Sequence, residues 1–173
     1  MEMYRIAEFE KVSFERFCEG WESVRGKADA DTLTRAYEAL SLPVRATSGS
    51  AGYDFYLPFD LVLHPGESVR IPTGIRARME EGWVLMLFPR SGLGFKYRLQ
   101  MDNTVGVIDS DYYYSDNEGH IFAAITNDSR QEKVLSLKAG DAFMQGVFMP
   151  FGITESDCAA GRRNGGFGST SAK

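Results

Sequence analysis

The residues best equipped for chemistry sit in short polar, glycine-bearing clusters between apolar runs. Pro89-Arg90-Ser91-Gly92-Leu93-Gly94 follows directly on the apolar stretch ending at Phe88. Its glycines let the backbone turn sharply and leave N–H groups beside a hydroxyl and a guanidinium, the donor set a phosphate chain requires. An ordinary glycine turn with a surface arginine has the same composition. A second donor set near the end of the chain runs Arg162-Arg163-Asn164-Gly165-Gly166-Phe167-Gly168-Ser169-Thr170. It could wrap a phosphate tail while the aromatic ring covers a base, and it equally has the composition of a disordered terminus. It is not a Walker loop, which needs GxxxxGK[ST] ahead of a helix. Between the two sets lies the segment from Asn103 to Tyr112. Asp109 and Asp111, two residues apart, share one face of an extended segment. One of them, beside the apolar Val105–Ile108, is placed to act as a general base on a water; solvated carboxylates in a turn are the plainer alternative. Gly140-Asp141 reads as a turn entering a strand over Phe143–Gln145.

These clusters need a frame. Phe14, Phe17, Cys18 and Trp21 recur at helical spacing behind Ser13, an N-cap candidate, and Gly20 limits how far that helix runs. Leu33, Ala36, Tyr37 and Leu40 repeat the spacing, with Asp31 or Thr32 as cap and Pro43 as the stop. A short strand precedes them at Tyr4–Phe9. From Arg45 onward the period becomes two. Ile75, Ala77 and Met79 alternate with Arg76, Arg78 and Glu80, one buried and one wet face of a strand. Leu61–Leu63, Val69–Ile71, Trp83–Phe88, Ile121–Thr126, Val134–Leu137 and Phe143–Phe148 are further strands. Glycine and proline punctuate them at the cadence of an antiparallel sandwich or barrel.

The 173 residues are 43% hydrophobic, 13% aromatic and 25% charged, which suits one domain with a sizeable core. The net charge is −5. It argues against a nucleic-acid polymer as partner, though not against a small anion held by a local donor cluster. No apolar run approaches a membrane span and no secretory signal is visible, so a cytoplasmic location is expected. Cys18 and Cys158, His64 and His120 are too scattered to assemble a zinc site.

Taken in order, Ala51-Gly52-Tyr53-Asp54, Pro89-Arg90-Ser91-Gly92-Leu93, Gly106-Val107-Ile108-Asp109-Ser110-Asp111-Tyr112, Gly140-Asp141-Ala142-Phe143-Met144-Gln145 and Gly165-Gly166-Phe167-Gly168-Ser169-Thr170 closely resemble the five ordered motifs of the trimeric dUTP pyrophosphatases (dUTPases). The third and fifth are the most specific. The resemblance implies an all-β, jelly-roll-like β-barrel, here with short N-terminal helices, assembled as a homotrimer whose active sites take motifs from more than one subunit. It divides the chain into an N-terminal extension over residues 1–42, a barrel over 43–160 and a flexible arm over 161–173. The implied reaction cleaves dUTP to dUMP and pyrophosphate with Mg2+ carried by the triphosphate and held mostly through water.

Residue by residue, the resemblance makes Asp109 the base that deprotonates the attacking water and sets Tyr112 against the deoxyribose. Asn103, Gly106, Val107 and Ile108 fall on pocket positions. Arg90, Ser91 and Gly92 match phosphate contacts, Gln145 the fourth motif's amide, and Asp54 an acid near the metal's waters. Phe167 matches the ring capping uracil, with Gly168, Ser169 and Thr170 on the phosphates. Arg162 has the usual spacing of the fifth motif's arginine and Arg163 the neighbouring one. The chain departs from the pattern where Tyr113 to Glu118 lengthen the hairpin before Gly119, with Phe122 expected to line its far arm. The N-terminal helices are a second departure. The rival readings are a dCTP deaminase of the same fold and a nucleotide-sensing, protein-binding member.

Overall fold

The computed structural model describes residues 4–161. The elements run β1 (Ala7–Lys11), α1 (Phe14–Arg25), α2 (Ala30–Glu38), β2 (Val44–Arg45), β3 (Tyr53–Tyr56), β4 (Leu61–Leu63), β5 (Ser68–Pro72), β6 (Ile75–Met79), β7 (Trp83–Pro89), α3 (Ser91–Tyr97), β8 (Leu99–Met101), β9 (Gly106–Asp109), β10 (Phe122–Asn127), β11 (Leu135–Leu137) and β12 (Ala142–Pro150). The strands pair antiparallel in separate sheets: β1 with β6, β4 with β11, β5-β10-β8, and the largest in the order β2-β3-β12-β7-β9. The fold is mostly β with few helices. Among the described residues the strands do not close into one continuous barrel.

Alternation places each strand's apolar side inward. On β10, Ala123 and Ile125 are buried; on β7, Leu85 and Leu87; on β6, Ile75 and Ala77. They meet Phe55, Ile71, Leu135 and Phe143 in one core, and Val12, Phe17, Trp21, Leu33 and Leu40 from the N-terminal segment belong to the same cluster. No helix among the described residues is long and apolar enough to cross a membrane.

Several local expectations need correction. The first strand starts at Ala7 rather than Tyr4, because its pairing with β6 begins at Ala7 opposite Met79 and runs to Lys11 opposite Ile75. Ser13 does cap α1, its side chain accepting from Arg16 N, but Gly20 does not shorten the helix, which continues to Arg25. Gly20 answers a different need. A Cβ there would stand 2.6 Å from His120 Cε1, so the missing side chain is what lets the imidazole lie against the helix. The cap of α2 is Asp29, not Asp31 or Thr32, and the helix ends at Glu38, well before Pro43.

His120 is the wedge of this region. It is 2% exposed, and its Nε2 accepts from Gly74 N at 2.9 Å. The ring also hydrogen-bonds the Arg16 backbone, and burial pushes its pKa from 6.5 down to about 4, against the opposing pull of the Glu118 carboxylate. The unfolded chain therefore takes up this proton at a higher pH than the folded one. Stability is full above pH 6.5 and falls as pH drops toward 4. The expected loss between pH 6.5 and 5 is about 1.5 kcal/mol, a window lying above the ordinary carboxylate range. Denaturant unfolding across that interval should show the slope in the wild type and lose it in His120→Gln, whose amide oxygen can still accept from Gly74. An unchanged slope in the variant would assign the pH dependence elsewhere.

Candidate active site

Three neighbouring strands build a polar cleft. Gln145 of β12 lies directly opposite Asp54 of β3 on one side and Phe88 of β7 on the other. Directly opposed residues of antiparallel strands point to the same face, and Arg90, two beyond Phe88, continues that face in extended backbone. Asp54, Gln145 and Arg90 therefore converge from distant parts of the sequence. Arg90 Nε is 3.2 Å from Asp54 Oδ1, and Arg90 Nη1 donates to Ala142 O at 3.5 Å. The cleft, about 400 Å³, is completed by Ser50, Gly52 and Ser91. A Cβ on Gly52 would lie 2.5 Å from Gln145 Oε1, so a side chain there would push the amide out of its present position. Gln145 Nε2 in turn donates to Pro89 O at 3.5 Å.

The glycine turn expected after Pro89 is the first turn of α3. Leu93 N and Gly94 N both donate to Arg90 O, at 3.0 and 2.9 Å. The amides of Ser91 and Gly92 precede any intrahelical acceptor by helix geometry, which keeps the proposed donor character while changing its origin. Gly92 and Gly94 have open space beside them.

The carboxylate segment stands elsewhere. β9 is the edge of the large sheet, with Gly106 opposite Leu87 and Asp109 opposite Val84 of β7. Ile108 is buried and Val107 half exposed; Asn103 precedes the strand, its carbonyl accepting from Val105 N at 2.7 Å. Extended backbone ends at Asp109 and Ser110–Tyr114 form a 3₁₀ turn. Asp111 therefore does not share a strand face with Asp109, contrary to the spacing argument. Tyr112 is 4% exposed. Its hydroxyl donates to His120 O at 2.7 Å and accepts from Asn117 Nδ2 at 2.8 Å. Phe122 begins β10 opposite Pro72. Its ring lies beneath the Arg70 guanidinium at 4.3 Å and against His120 at 4.5 Å, on the side of α1.

The structure thus brings Asp54, Arg90, Ser91 and Gln145 together, and places Gly106, Ile108, Asp109 and Tyr112 in a second group. Arg90 lies six positions beyond Val84 along β7 and its end, roughly 20 Å at about 3.3 Å per residue. Arg162, Arg163, Phe167, Gly168, Ser169 and Thr170 lie outside the described residues. Ser50 and Asn117 were not anticipated, because neither carries a motif and each reaches its place only through a folded turn. Among the described residues no three His, Cys, Asp or Glu side chains cluster to hold a metal ion.

The dUTPase family model matches residues 38–171. The deoxyuridine 5'-triphosphate nucleotidohydrolase of Lactococcus lactis is 43% identical over 136 residues, covering 77% of this chain and 89% of the relative. Its counterpart in Desulfitobacterium hafniense is 42% identical over 144 residues, covering 79% and 91%. Among solved structures, a dUTPase from Streptococcus mutans superposes with a TM-score of 0.63 at 38% identity, covering 86% of this chain and 98% of that one. A mutant dUTPase from phage phi11 of S. aureus, whose structure concerns the coordination of a structural Mg(II) ion, gives 0.59 at 25% identity over 72% of this chain and 92% of its own. With the family model spanning most of the sequence and the polar cleft built from its dispersed motifs, the chain belongs to the dUTPase family.

Proposed function

We propose that this chain hydrolyses dUTP to dUMP and pyrophosphate, working as a homotrimer whose sites combine residues of different copies. The observation carrying this reading is the convergence of Asp54, Arg90, Ser91 and Gln145 from β3, β7, α3 and β12 into one cleft. It offers a guanidinium, a hydroxyl and an amide to a phosphate chain, in the order the family places them. The separation of that cleft from Asp109 within one chain supports the trimer. A triphosphate lying in the cleft reaches a base only if another copy presents its β9 edge, and symmetric closed assemblies are the ordinary way to repeat such a contact.

In this reading Arg90 gives planar, paired donors to the phosphate oxygens. Before substrate arrives the Asp54 carboxylate keeps the guanidinium aimed into the cleft. Gln145, fixed by Gly52 and Pro89, presents its amide beside it. Asp109 of a neighbouring copy removes the proton from the water that attacks the α-phosphorus. The P–O bond to the bridging oxygen breaks and pyrophosphate leaves. Tyr112 lies under the deoxyribose, and the fifth motif, from Arg162 or Arg163 through Phe167, Gly168, Ser169 and Thr170, closes over the nucleotide. Asp54 as the cleft's lone carboxylate among hydroxyl and amide groups suits a Mg2+ ion that arrives with the triphosphate and keeps its waters. Bound there, the ion would neutralise phosphate charge and steady the leaving pyrophosphate.

Pyrophosphate release measured side by side with dUTP, dCTP, dTTP and UTP tests the reading. A site that pairs uracil's polar edge should reject dCTP by about 10⁴–10⁵, whereas one extra methyl should cost dTTP only about 10–200-fold. Comparable kcat/KM for dUTP and dCTP would remove the uracil-specific reading, and ammonia release from dCTP would make the chain a deaminase. Separately, Asp109→Asn should keep the fold and dUTP binding while lowering turnover by about 10²–10⁴. A larger loss in Asp111→Asn, with binding intact, would transfer the base to that residue.

A further inference from the structure

The two features that depart from the common family pattern touch each other. β1 and α1 precede the family match, which begins at residue 38, and the added turn residues run from Tyr113 to Glu118. Tyr113 Oη donates to Glu10 Oε2 at 2.9 Å. The same oxygen receives Arg76 Nε and Nη2 at 3.1 and 2.7 Å, and the Arg76 guanidinium lies 4.4 Å from the Tyr113 ring centre. At the other end of the turn, the Glu118 carboxylate accepts both the N–H and the Oγ–H of Ser13, each at 2.8 Å. Ser13 is the N-cap of α1, so the start of the helix and the turn share one residue. Glu118 holds a φ of 58°, a conformation that non-glycine residues keep only where surrounding bonds enforce it. The two bonds from Ser13 supply that enforcement.

Inside the turn the connection continues to Tyr112. Asn117, next to Glu118, sends Nδ2 to the Tyr112 hydroxyl. Its Oδ1 accepts from Ser115 Oγ at 2.7 Å and Gly119 N at 3.1 Å. Ser115 Oγ is also 2.7 Å from Tyr112 O. A shift of Glu118 would move Asn117 and loosen the tyrosine.

We propose that the N-terminal segment is a brace for substrate selection: Glu10, through Tyr113, and Ser13, through Glu118, are positioning residues that hold Tyr112 and its turn. The inference rests on the reading above that this turn faces the nucleoside. It differs from a purely structural role in what it predicts. Loss of the brace should degrade discrimination, whereas loss of packing alone should lower stability and leave selectivity intact.

The test compares kcat and KM for dUTP and UTP in full-length Ser13→Ala, Glu118→Ala, their double variant, Tyr113→Phe and Glu118→Gln, with thermal midpoints recorded in parallel. Ser13→Ala and Glu118→Ala should each cut the dUTP-over-UTP preference by about tenfold, the scale of one lost hydrogen bond to a charged group. The change should fall on KM, with kcat within about twofold. The double variant should be no worse than Glu118→Ala, which by itself removes both bonds to Ser13. Glu118→Gln, which keeps an acceptor for the Ser13 hydroxyl, should retain most of the preference. Tyr113→Phe, lacking one hydroxyl only, keeps the question answerable should Glu118→Ala not fold. Wild-type selectivity in Ser13→Ala and Tyr113→Phe, whatever their midpoints, would overturn the brace. Tyr112→Ala separates the two levels. If it relaxes selectivity and the brace variants do not, only the brace fails; if it leaves selectivity unchanged, the nucleoside-facing reading of the turn fails and the brace falls with it.

Discussion

A β-strand hydrogen-bonded on both sides has one register with each neighbour, and the register of β7 governs everything the site can do. Against β12 it sets Gln145 beside Phe88, and β12 in turn sets Gln145 beside Asp54. Against β9 it sets Asp109 beside Val84. A one-residue slip would turn each of these side chains to the opposite face. Leu85 and Leu87, essentially buried on the inner face, make such a slip expensive, since two large apolar side chains would go into water. Burying a leucine contributes about 2 kcal/mol. Core packing therefore fixes the cleft's geometry, and it equally fixes the distance between the cleft and Asp109. In the proposed reading that distance is what calls for an assembly, since Arg90 and Asp109 would then reach one nucleotide only across copies.

The second constraint is the His120 wedge. Its ring fills the hollow left by Gly20, accepts from Gly74 and ties α1 to the β5–β6 turn and to the segment after Tyr112. Burial keeps it neutral, which is what allows Nε2 to accept a bond. The N-terminal segment thus enters the fold at two levels, through apolar side chains in the shared core and through polar bonds to the lengthened turn.

Much of this was legible in the sequence because it is local. Period-two alternation locates β6, apolar runs between turn residues locate β7, β10 and β12, and Ser13 announces the start of α1. Strands of three or four residues, such as β3 and β8, carry too few alternations to stand out. Gly92 and Gly94 suggested a turn, yet helical hydrogen bonds to Arg90 O prevail over their low propensity. Asp109 and Asp111 would share a face only if the strand continued, and the 3₁₀ turn ends it. For the cleft, motif order supplied Asp54, Arg90, Ser91 and Gln145, which the fold brings together. It gave no hint that Glu118 would meet Ser13 or Tyr113 would meet Glu10, contacts separated by more than a hundred residues. Single polar residues in a loop carry no periodic signal, and pairing between distant ones depends on the fold itself.

The central claim is that one catalytic site draws its phosphate donors and its base from different copies. Co-expressing Arg90→Ala and Asp109→Asn chains with different tags, and isolating assemblies that carry both, tests it directly. Each variant alone should be nearly inactive. Each doubly tagged symmetric trimer should regain about a third of its sites, the one that pairs an intact Arg90 on one copy with an intact Asp109 on the next. Doubly tagged assemblies no more active than either variant alone would contradict a site shared between copies, and would place Arg90 and Asp109 in the same chain's chemistry.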